Sequence, residues 1–217
     1  MSGFAERPHG IVILFAKAPV PGLAKTRLVP ALGAEAAAHL QARLATRAIE
    51  TALAAAVGPV ELWCAPDCAD PFFAECARRH ALTLRAQPEG DLGRRMARAF
   101  EAALASHDYA ILTGSDCPAM TAQDIRAARD ALAAGQDAAF LPVEDGGYAL
   151  IGLARFDPRL FEAIAWGSGA VMRETRLRLG GMGWRWQELA ERWDVDRPED
   201  LERLRLATGM ADSCGMR

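Results

Sequence analysis

Residues 109–118 have the sequence YAILTGSDCP, in which an apolar run ends at a polar turn. The run Tyr109–Thr113 predicts a buried strand, and that strand ends before Pro118 because proline cannot donate to a sheet ladder. Asp116 is thereby placed just beyond the carboxyl end of a strand, where open α/β sheets bind their ligands. Two interpretations stay open: Asp116 holds a divalent metal on nucleotide phosphates, or it stabilises a strand-to-helix turn.

Apolar runs of strand length alternate with segments of helical periodicity on both sides of this stretch. The predicted strands are residues 11–16, 60–64, 82–85, 109–113, 138–143, 148–153 and 184–187. The predicted helices are residues 34–56, 71–80, 92–105, 121–134, 169–179 and 198–207, with a short helix capped at Asp157. Such alternation predicts an α/β fold, a single-domain three-layer α/β/α arrangement around a mainly parallel mixed sheet. The turn-forming residues 144–147 between two strands predict one antiparallel excursion.

The composition bounds the class of protein. A chain of 217 residues, 51% apolar and with a formal net charge of −3, is typical of one soluble globular domain and suggests no nucleic-acid surface. The first residues lack the basic end and long apolar core of a signal peptide, and residues 11–16 are too short to span a bilayer, so we expect a cytoplasmic protein without membrane contact. We expect an N-terminal extension over residues 1–10, a nucleotide-binding transferase domain over 11–207 and a flexible tail over 208–217.

The five cysteines form no Cys-x-x-Cys pair and no zinc-like spacing with histidine, so free thiols are expected. Cys117 lies in the central motif but has no histidine beside it in sequence, which favours a small buried residue over a nucleophile.

The loop after the first strand, residues 17–28, has the sequence KAPVPGLAKTRL. Its backbone N–H groups, the helix that follows, and Lys17, Lys25 and Arg27 favour binding of an anion such as phosphate. A P-loop needs glycine where this chain has Ala24 and Pro19, so that motif does not fit. A solvated basic loop is the remaining alternative.

A second polar turn, residues 87–96 with the sequence QPEGDLGRRM, also leads from a strand into a helix. Such a turn can hold a base or ribose through hydrogen bonds. Asp91 could equally be the N-cap of the helix, and the two roles are compatible.

Two further acidic stretches lie late in the chain. Asp194-Val-Asp196 could supply a carboxylate to Mg²⁺ together with Asp116, or Asp196 could cap a helix that has Pro198 in its first turn. Residues 144–147, EDGG, could be a plain hairpin turn or could bind an acceptor hydroxyl and supply a base. Trp166, in the flexible context AWGSG, could stack on a ligand or simply pack.

These motifs together resemble a known family. They are Phe15-Ala-Lys-Ala-Pro-x-Pro-Gly-x-x-Lys-Thr-Arg-Leu28, Gly90-Asp-Leu-Gly-x-Arg-Met96, Gly114-Ser-Asp-Cys-Pro118, Asp145-Gly-Gly-Tyr148 with Ile151-Gly-Leu153, and Asp194-Val-Asp-x-Pro-Glu-Asp-Leu201. Their order over residues 11–205 is similar to that of a bacterial family of GT-A-type glycosyltransferase-like proteins. Some members of that family are associated with arsenosugar biosynthesis, and the family is similar to guanylyltransferases that activate phospholactate.

The resemblance implies a nucleotide-diphospho-sugar transferase fold with Mg²⁺ or Mn²⁺ held by Asp116 and Asp196. By the same resemblance, Lys25 and Arg27 match residues that contact phosphate. The expected catalytic residues are Lys25, Arg27, Asp116 and Asp145. We expect the nucleotide to contact Ala16, Lys17, Pro21, Gly22, Lys25, Gln87, Gly90, Asp91, Leu92, Gly93, Ser115 and Asp116. We expect the acceptor to contact Glu144, Asp145, Gly146, Gly147, Tyr148, Trp166 and Ser168.

The chain departs from the family pattern at three places. Arg197 stands where threonine is common, which puts one side-chain hydrogen bond in doubt. Residues 167–170, GSGA, replace a more polar segment in the region that could hold the acceptor. The central motif has one aspartate, so Ser115 or water has to complete the metal shell.

The hypothesis is a metal-dependent transferase that uses a nucleotide-sugar donor and a small-molecule acceptor. The alternatives are a nucleotidyltransferase that moves a nucleoside monophosphate from a triphosphate to a small phosphorylated acceptor, a non-catalytic nucleotide-binding protein and a metal-dependent phosphohydrolase. The sequence leaves the base, the sugar, the acceptor and the oligomeric state open.

Overall fold

The computed structural model describes residues 10–208. Seven strands form one sheet: β1 (Gly10–Lys17), β2 (Val60–Ala65), β3 (Thr83–Ala86), β4 (Tyr109–Thr113), β5 (Ala138–Pro142), β6 (Tyr148–Leu153) and β7 (Trp186–Glu188). The α-helices of this part of the chain are α1 (Val29–Leu32), α2 (Ala34–Ala55), α3 (Pro71–His80), α4 (Leu92–Leu104), α5 (Ala122–Ala133), α6 (Val171–Gly181) and α7 (Asp200–Thr208). Single 3₁₀ turns occupy Thr26–Leu28 and Pro158–Leu160.

The strands lie in the order β3-β2-β1-β4-β6-β5-β7. All neighbouring pairs are parallel except those that β6 makes with β4 and β5, which are antiparallel. The predicted mainly parallel sheet and its single antiparallel excursion are therefore confirmed. Because β1 and β4 are adjacent and parallel, the first loop and the Asp116 motif emerge at the same edge of the sheet.

Helices cover both faces of the sheet, as predicted. In β1, alternate side chains explain why the whole strand is apolar: Val12 and Leu14 enter the core beneath α2, α3 and α5, whereas Ile13 and Phe15 enter the core beneath α4 and α6. A third, smaller cluster joins the first loop to α2, Val195 and α7. That cluster holds the late acidic segment against the beginning of the chain.

Two helix starts were wrong. Pro198 lies before α7, not in its first turn, because it belongs to a tighter turn: Asp200 N–H donates to the carbonyl of Arg197 at 3.0 Å and Leu201 N–H to that of Pro198 at 3.2 Å, and the α-helix begins only at Asp200. The helix expected from residue 169 begins at Val171. By contrast, Asp157 caps the 3₁₀ turn as predicted, accepting a hydrogen bond from Arg159 N–H.

The predicted extension and tail lie outside the described residues, apart from Gly10, which begins β1, and Thr208, which ends α7. Within residues 10–208, no helix combines the length and the apolar character needed to cross a membrane. Cys64, Cys68, Cys76 and Cys117 are free thiols, as expected, and Cys214 is not among the described residues.

Candidate functional site

The Asp116 motif follows β4 and is held in place by a short relay of hydrogen bonds. The Ser115 hydroxyl donates to Asp116 Oδ1 at 3.0 Å, and the amide of Gln41 donates to Ser115 Oγ at 3.2 Å. Gln41 is buried on α2, and Arg47 of the same helix donates to the carbonyl of Pro118 at 3.0 Å. The turn is therefore fixed from below while the Asp116 side chain stays 51% exposed.

The two acidic motifs, far apart in sequence, meet directly. The backbone N–H of Val195 donates to the carbonyl of Asp116 at 2.9 Å, and the Cys117 thiol donates to the carbonyl of Trp193 at 3.2 Å. Val195 is fully buried against Leu28 and its neighbours in the third cluster. These contacts place Asp194 and Asp196 on either side of a buried anchor, next to Asp116.

Lys25 reaches into this junction from the first loop. Its side chain is 4% exposed, and its Nζ lies 2.9 Å from Asp116 Oδ1 and 2.6 Å from the carbonyl of Val195. Its backbone has φ 47°, a left-handed conformation that non-glycine residues rarely adopt. The strained backbone points the ammonium group inward, where it touches both acidic motifs.

Arg27, two residues further on, forms an ion pair with Asp196. Both side chains are exposed. The carboxylate of Asp196 faces the first loop, and the Asp200 carboxylate accepts hydrogen bonds from the backbone N–H groups of Asp196 and Arg197. Each aspartate that the family resemblance assigns to the metal therefore has a basic partner from one loop.

Asp194 joins the same acidic group. Burial raises its pKa to about 6, and the negative charges of Asp145, Asp116 and Asp196 add to the rise. Four carboxylates thus share one electrostatic environment at the carboxyl end of the sheet. Oxygen donors of this kind are those that Mg²⁺ and Mn²⁺ take in combination with phosphate oxygens and water. Among residues 10–208, however, no three acidic, histidine or cysteine side chains are arranged as a ready-made metal cage.

The Gln87–Gly93 turn lies beside the ends of β1 and β2. The Gln87 side chain donates to the carbonyl of Trp63 at 2.8 Å and accepts from Arg95 at 3.1 Å, so it shapes this turn from within. Asp91 accepts a hydrogen bond from Arg94 N–H at 2.8 Å and caps α4. The capping role predicted for Asp91 is confirmed, and its predicted contact with the nucleotide stays a prediction.

Trp166 lies against this same turn. A Cβ on Gly93 would stand 2.4 Å from Trp166 Nε1 and 2.7 Å from the carbonyl of Phe161, so glycine is needed there for close packing. The residue predicted for the acceptor and the turn predicted for the nucleotide are therefore neighbours.

The remaining predicted nucleotide contacts lie around the first loop and the start of α4. Ala16 is buried in β1, Gly22 takes a left-handed turn conformation with φ 76°, and the Lys17 ammonium bonds back to the carbonyl of Leu23 at 2.7 Å. Pro21 and Leu92 are exposed. Lys17 thus braces the loop, whereas Lys25 and Arg27 face the aspartates.

The predicted acceptor turn packs onto the segment before α6. Asp145 Oδ1 accepts from Gly147 N–H at 2.8 Å, and the carbonyl of Gly146 accepts from Met172 N–H at 2.8 Å. A Cβ on Gly146 would stand 2.2 Å from the carbonyl of Gly169. The structure thus joins residues 144–148 to the 166–170 region, the two stretches that were expected to share the acceptor.

Three members of the predicted acceptor set make structural contacts. Glu144 forms a two-point ion pair with Arg203 of α7, at 2.7 and 3.0 Å. The Ser168 hydroxyl donates to the carbonyl of Ala165 at 2.7 Å. Tyr148 packs edge-on against Phe140, and burial raises its pKa above its usual range.

Sequence reasoning missed Gln41 and the Asp124–Arg192 ion pair. One feature of the sequence could have indicated Gln41: it is a single amide among the apolar residues on the buried face of α2. Arg192 lies 2.8 Å from Asp124 and ties the segment before Asp194 to α5. Burial alone would raise the pKa of Asp124, but hydrogen bonds from Arg192 and Thr121 hold it below its usual range.

Cys117 is not suited to nucleophilic attack. Burial raises the pKa of its thiol to about 12, so the thiolate is scarce at neutral pH. The thiol instead serves as a donor in the contact between the two acidic motifs.

The sequence profile of a family described as an uncharacterized protein conserved in bacteria (DUF2064) matches residues 48–168. No curated protein matches the chain in sequence. Among solved structures, a candidate nucleotide-diphospho-sugar transferase from Desulfovibrio desulfuricans G20 superposes with a TM-score of 0.81 and 29% identity, over 92% of this chain and 89% of that one.

Two more distant structures share the fold. A CMP:2-keto-3-deoxy-manno-octonic acid synthetase complexed with CTP has a TM-score of 0.59 and 15% identity, over 92% of this chain and 98% of that one. Glucosyl-3-phosphoglycerate synthase from Mycobacterium tuberculosis, in complex with Mn²⁺, UDP and glucosyl-3-phosphoglycerate, has a TM-score of 0.53 and 12% identity, over 97% and 79% of the two chains.

Proposed function

We propose that this chain, which belongs to the bacterial family DUF2064, is a metal-dependent transferase with a nucleotide-sugar as donor. One observation carries the proposal: Lys25 and Arg27 of the first loop contact Asp116 and Asp196 at the carboxyl end of the sheet. Cations for phosphate and carboxylates for a metal are the groups that transfer from a nucleotide requires in one place.

The structural relatives support the same class of chemistry. The most similar of the three described above is itself a candidate nucleotide-diphospho-sugar transferase, and the other two hold CTP, or UDP with Mn²⁺. These ligands belong to those proteins, and we carry over to this chain only the class, a nucleotide and a divalent metal.

In this proposal Asp116 and Asp196 hold Mg²⁺ or Mn²⁺, which when bound neutralises negative charge on the phosphate oxygens. Lys25 and Arg27 bind those phosphates and stabilise the charge that develops on the leaving group. Ser115 and Gln41 keep Asp116 in one orientation through their hydrogen bonds. The Gln87–Gly93 turn holds the base or ribose.

The acceptor binds between the 144–148 turn and the segment 166–170, which the structure joins. Asp145 belongs to the same acidic environment as Asp116 and Asp194. It is therefore our candidate for the base that accepts the proton of the acceptor hydroxyl as that oxygen attacks the anomeric carbon. The nucleoside diphosphate leaves with the bonding electrons.

Nucleotidyl transfer is the second candidate, and the composition of the first loop favours it. Lys17, Lys25 and Arg27 provide three positive charges in one short segment, which suits a triphosphate. In that reaction a phosphate or carboxylate of the acceptor attacks the α-phosphorus and pyrophosphate leaves.

The two candidates are separated by binding and by the leaving group. Calorimetric titration with UDP-, GDP- and ADP-sugars and with the four common nucleoside triphosphates, each with and without Mn²⁺, identifies the donor class. Release of nucleoside diphosphate in the presence of a mixture of small hydroxylated acceptors supports glycosyl transfer, and release of pyrophosphate supports nucleotidyl transfer.

The same titrations can reject the proposal. Binding without turnover supports a nucleotide-binding protein, and inorganic phosphate released without an acceptor supports a phosphohydrolase. Binding of neither ligand class contradicts both transferase candidates.

A further inference from the structure

We infer that Lys25 and Arg27 act as resident counter-ions that keep a divalent cation out of the site until a nucleotide arrives, so that metal and nucleotide bind together. The inference rests on the proposed function, since it concerns the metal and the phosphates named there. It adds an order of binding and a reason for it.

Lys25 occupies the position that matters most. Its ammonium lies 2.9 Å from Asp116 Oδ1 and is almost wholly shielded from water, with 4% of the side chain exposed. The carbonyl of Val195, 2.6 Å away, is a second acceptor for the same group. A divalent cation on that carboxylate would be within a few ångströms of a positive charge that water reaches poorly, so the two cations would repel more than they do in bulk water, even though Asp116 itself is half exposed.

Arg27 repeats the arrangement at the other aspartate. Its guanidinium contacts Asp196, but this pair is exposed, with 60% of the arginine side chain accessible. Water screens such a pair, so it holds Asp196 more weakly than Lys25 holds Asp116. The two contacts together neutralise the two carboxylates that a metal needs.

Nucleotide phosphates change this balance because they offer Lys25 and Arg27 other anionic partners. Once the two cations bind phosphate, Asp116 and Asp196 are free to ligate a metal that also contacts the phosphates. Each ligand then raises the affinity for the other by the same factor, as thermodynamic linkage requires.

The alternative is that the two pairs are permanent structural ion pairs. A structural pair would also neutralise Asp116, but its loss would lower stability without creating a cation site. The two explanations therefore differ in what the protein binds when Lys25 is removed.

The test measures the affinity of the full chain for Mn²⁺ alone. Binding is monitored as the decrease of the free-Mn²⁺ signal in electron paramagnetic resonance. We expect weak binding to the wild type and binding about tenfold tighter, or more, in Lys25→Met, with a smaller gain in Arg27→Gln. The control Arg176→Gln removes an exposed arginine that pairs with Glu188 on the far edge of the sheet, and its affinity should match the wild type. Adding Asp116→Asn to Lys25→Met should abolish the gain.

An Mn²⁺ affinity that is unchanged or weaker in both Lys25→Met and Arg27→Gln overturns the inference, as does a gain that survives Asp116→Asn. If Lys25→Met does not fold, Lys25→Gln and Arg27→Gln carry the same comparison. Because this measurement contains no nucleotide, its result does not depend on nucleotide binding. Unchanged Mn²⁺ affinities would overturn the inference and leave the proposed function standing, whereas a lack of nucleotide binding would overturn the proposed function.

Discussion

The amino and carboxyl ends of the strands in the central sheet differ in chemistry, and the larger cavity lies at the end that lacks the predicted site residues. At the amino end lies a cavity of about 680 Å³ lined mostly by small or apolar residues, among them Gly10, Val57 and Gly58. At the carboxyl end, the cavity beside the Gln87–Gly93 turn is about 420 Å³, and half of its lining is charged: Glu89, Arg94 and Arg98. The acidic motifs, with Lys25 and Arg27 of the first loop, also lie at this end.

Beside that cavity, the chain segments at the amino end pack tightly against one another. The Tyr109 hydroxyl donates to the carbonyl of Val57 at 3.1 Å, and a Cβ on Gly58 would stand 2.1 Å from the carbonyl oxygen of Gly10. At the carboxyl end, carboxylates are gathered against their mutual repulsion. The packing at the amino end therefore stabilises the fold, whereas the carboxyl end keeps Asp194 beside other carboxylates at a cost in stability.

The largest expected effect is the loss of turnover in Asp116→Asn. The amide keeps an oxygen for Lys25 but cannot carry the charge that holds a metal, so turnover should fall by about 100-fold or more. The measurement is turnover with the donor identified by the ligand screen. The melting temperature should change little, and a large drop in stability with activity preserved would instead make Asp116 a structural residue.

Gly58→Ala should have the opposite signature. The added methyl group overlaps the backbone of Gly10, so the ends of β1 and β2 have to separate, and we expect a loss of about 2 kcal/mol or more in unfolding free energy. Urea denaturation measures this loss.

Gly180→Ala is the matched control, because an added Cβ in α6 meets nothing within 4 Å. Its stability should be unchanged or slightly higher. Equal losses in the two variants would contradict the packing argument for the amino end.

Asp194→Asn should stabilise the protein by about 1 kcal/mol at pH 7.5. Because the pKa of Asp194 is raised to about 6 in the fold, its charged form costs stability above that pH. This loss of stability diminishes as the pH falls through 6 towards the pKa that Asp194 has in the unfolded chain. The stabilisation should therefore be smaller at pH 5, as thermal melts at the two pH values would show.

Asp130→Asn is the control for Asp194→Asn, since Asp130 is an exposed carboxylate on α5 paired with Arg129. It should show no such stabilisation. A destabilised Asp194→Asn at pH 7.5 would refute the view that the acidic cluster costs stability.

The smallest expected effect is that of Glu144→Gln. The Glu144–Arg203 pair is exposed and screened by water, so its loss should change the unfolding free energy very little, and the change should diminish further in high salt. Arg203→Gln removes the same pair and also the contact of Arg203 with the Trp193 ring, so its loss of stability should equal or exceed that of Glu144→Gln if the pair only anchors α7. If Glu144→Gln alone lowers acceptor affinity, Glu144 belongs to the acceptor site as the sequence predicts.

Local patterns were sufficient for most of the fold. The apolar run of β1 marks a strand covered on both faces, and the turn before Tyr148 indicates the antiparallel excursion. The predicted start of α7 was wrong because proline also fits the turn that precedes a helix, and the hydrogen bonds that Arg197 and Pro198 accept from Asp200 and Leu201 form such a turn.

The site was less accessible to sequence reasoning. Motif order placed Asp116, Asp196, Lys25 and Arg27 in one region, but their pairing depends on the contact between Val195 and Asp116, which no local pattern encodes. Gln41 matters only through the position of α2 beneath the Asp116 turn. The sequence supplies the two acids of Asp194-Val-Asp196, but the pairing of Asp196 with Arg27 and the raised pKa of Asp194 follow only from their positions in the fold.

Calorimetric titration shows whether the carboxyl-end carboxylates and the first-loop cations bind a metal and a nucleotide. The nucleotide selected by the ligand screen is titrated, with Mn²⁺, into the wild type and into Asp116→Asn/Asp196→Asn. We predict saturable binding to the wild type that depends on Mn²⁺, and loss of that dependence in the double variant. Equal, Mn²⁺-dependent binding to both proteins would show that Asp116 and Asp196 do not hold the metal.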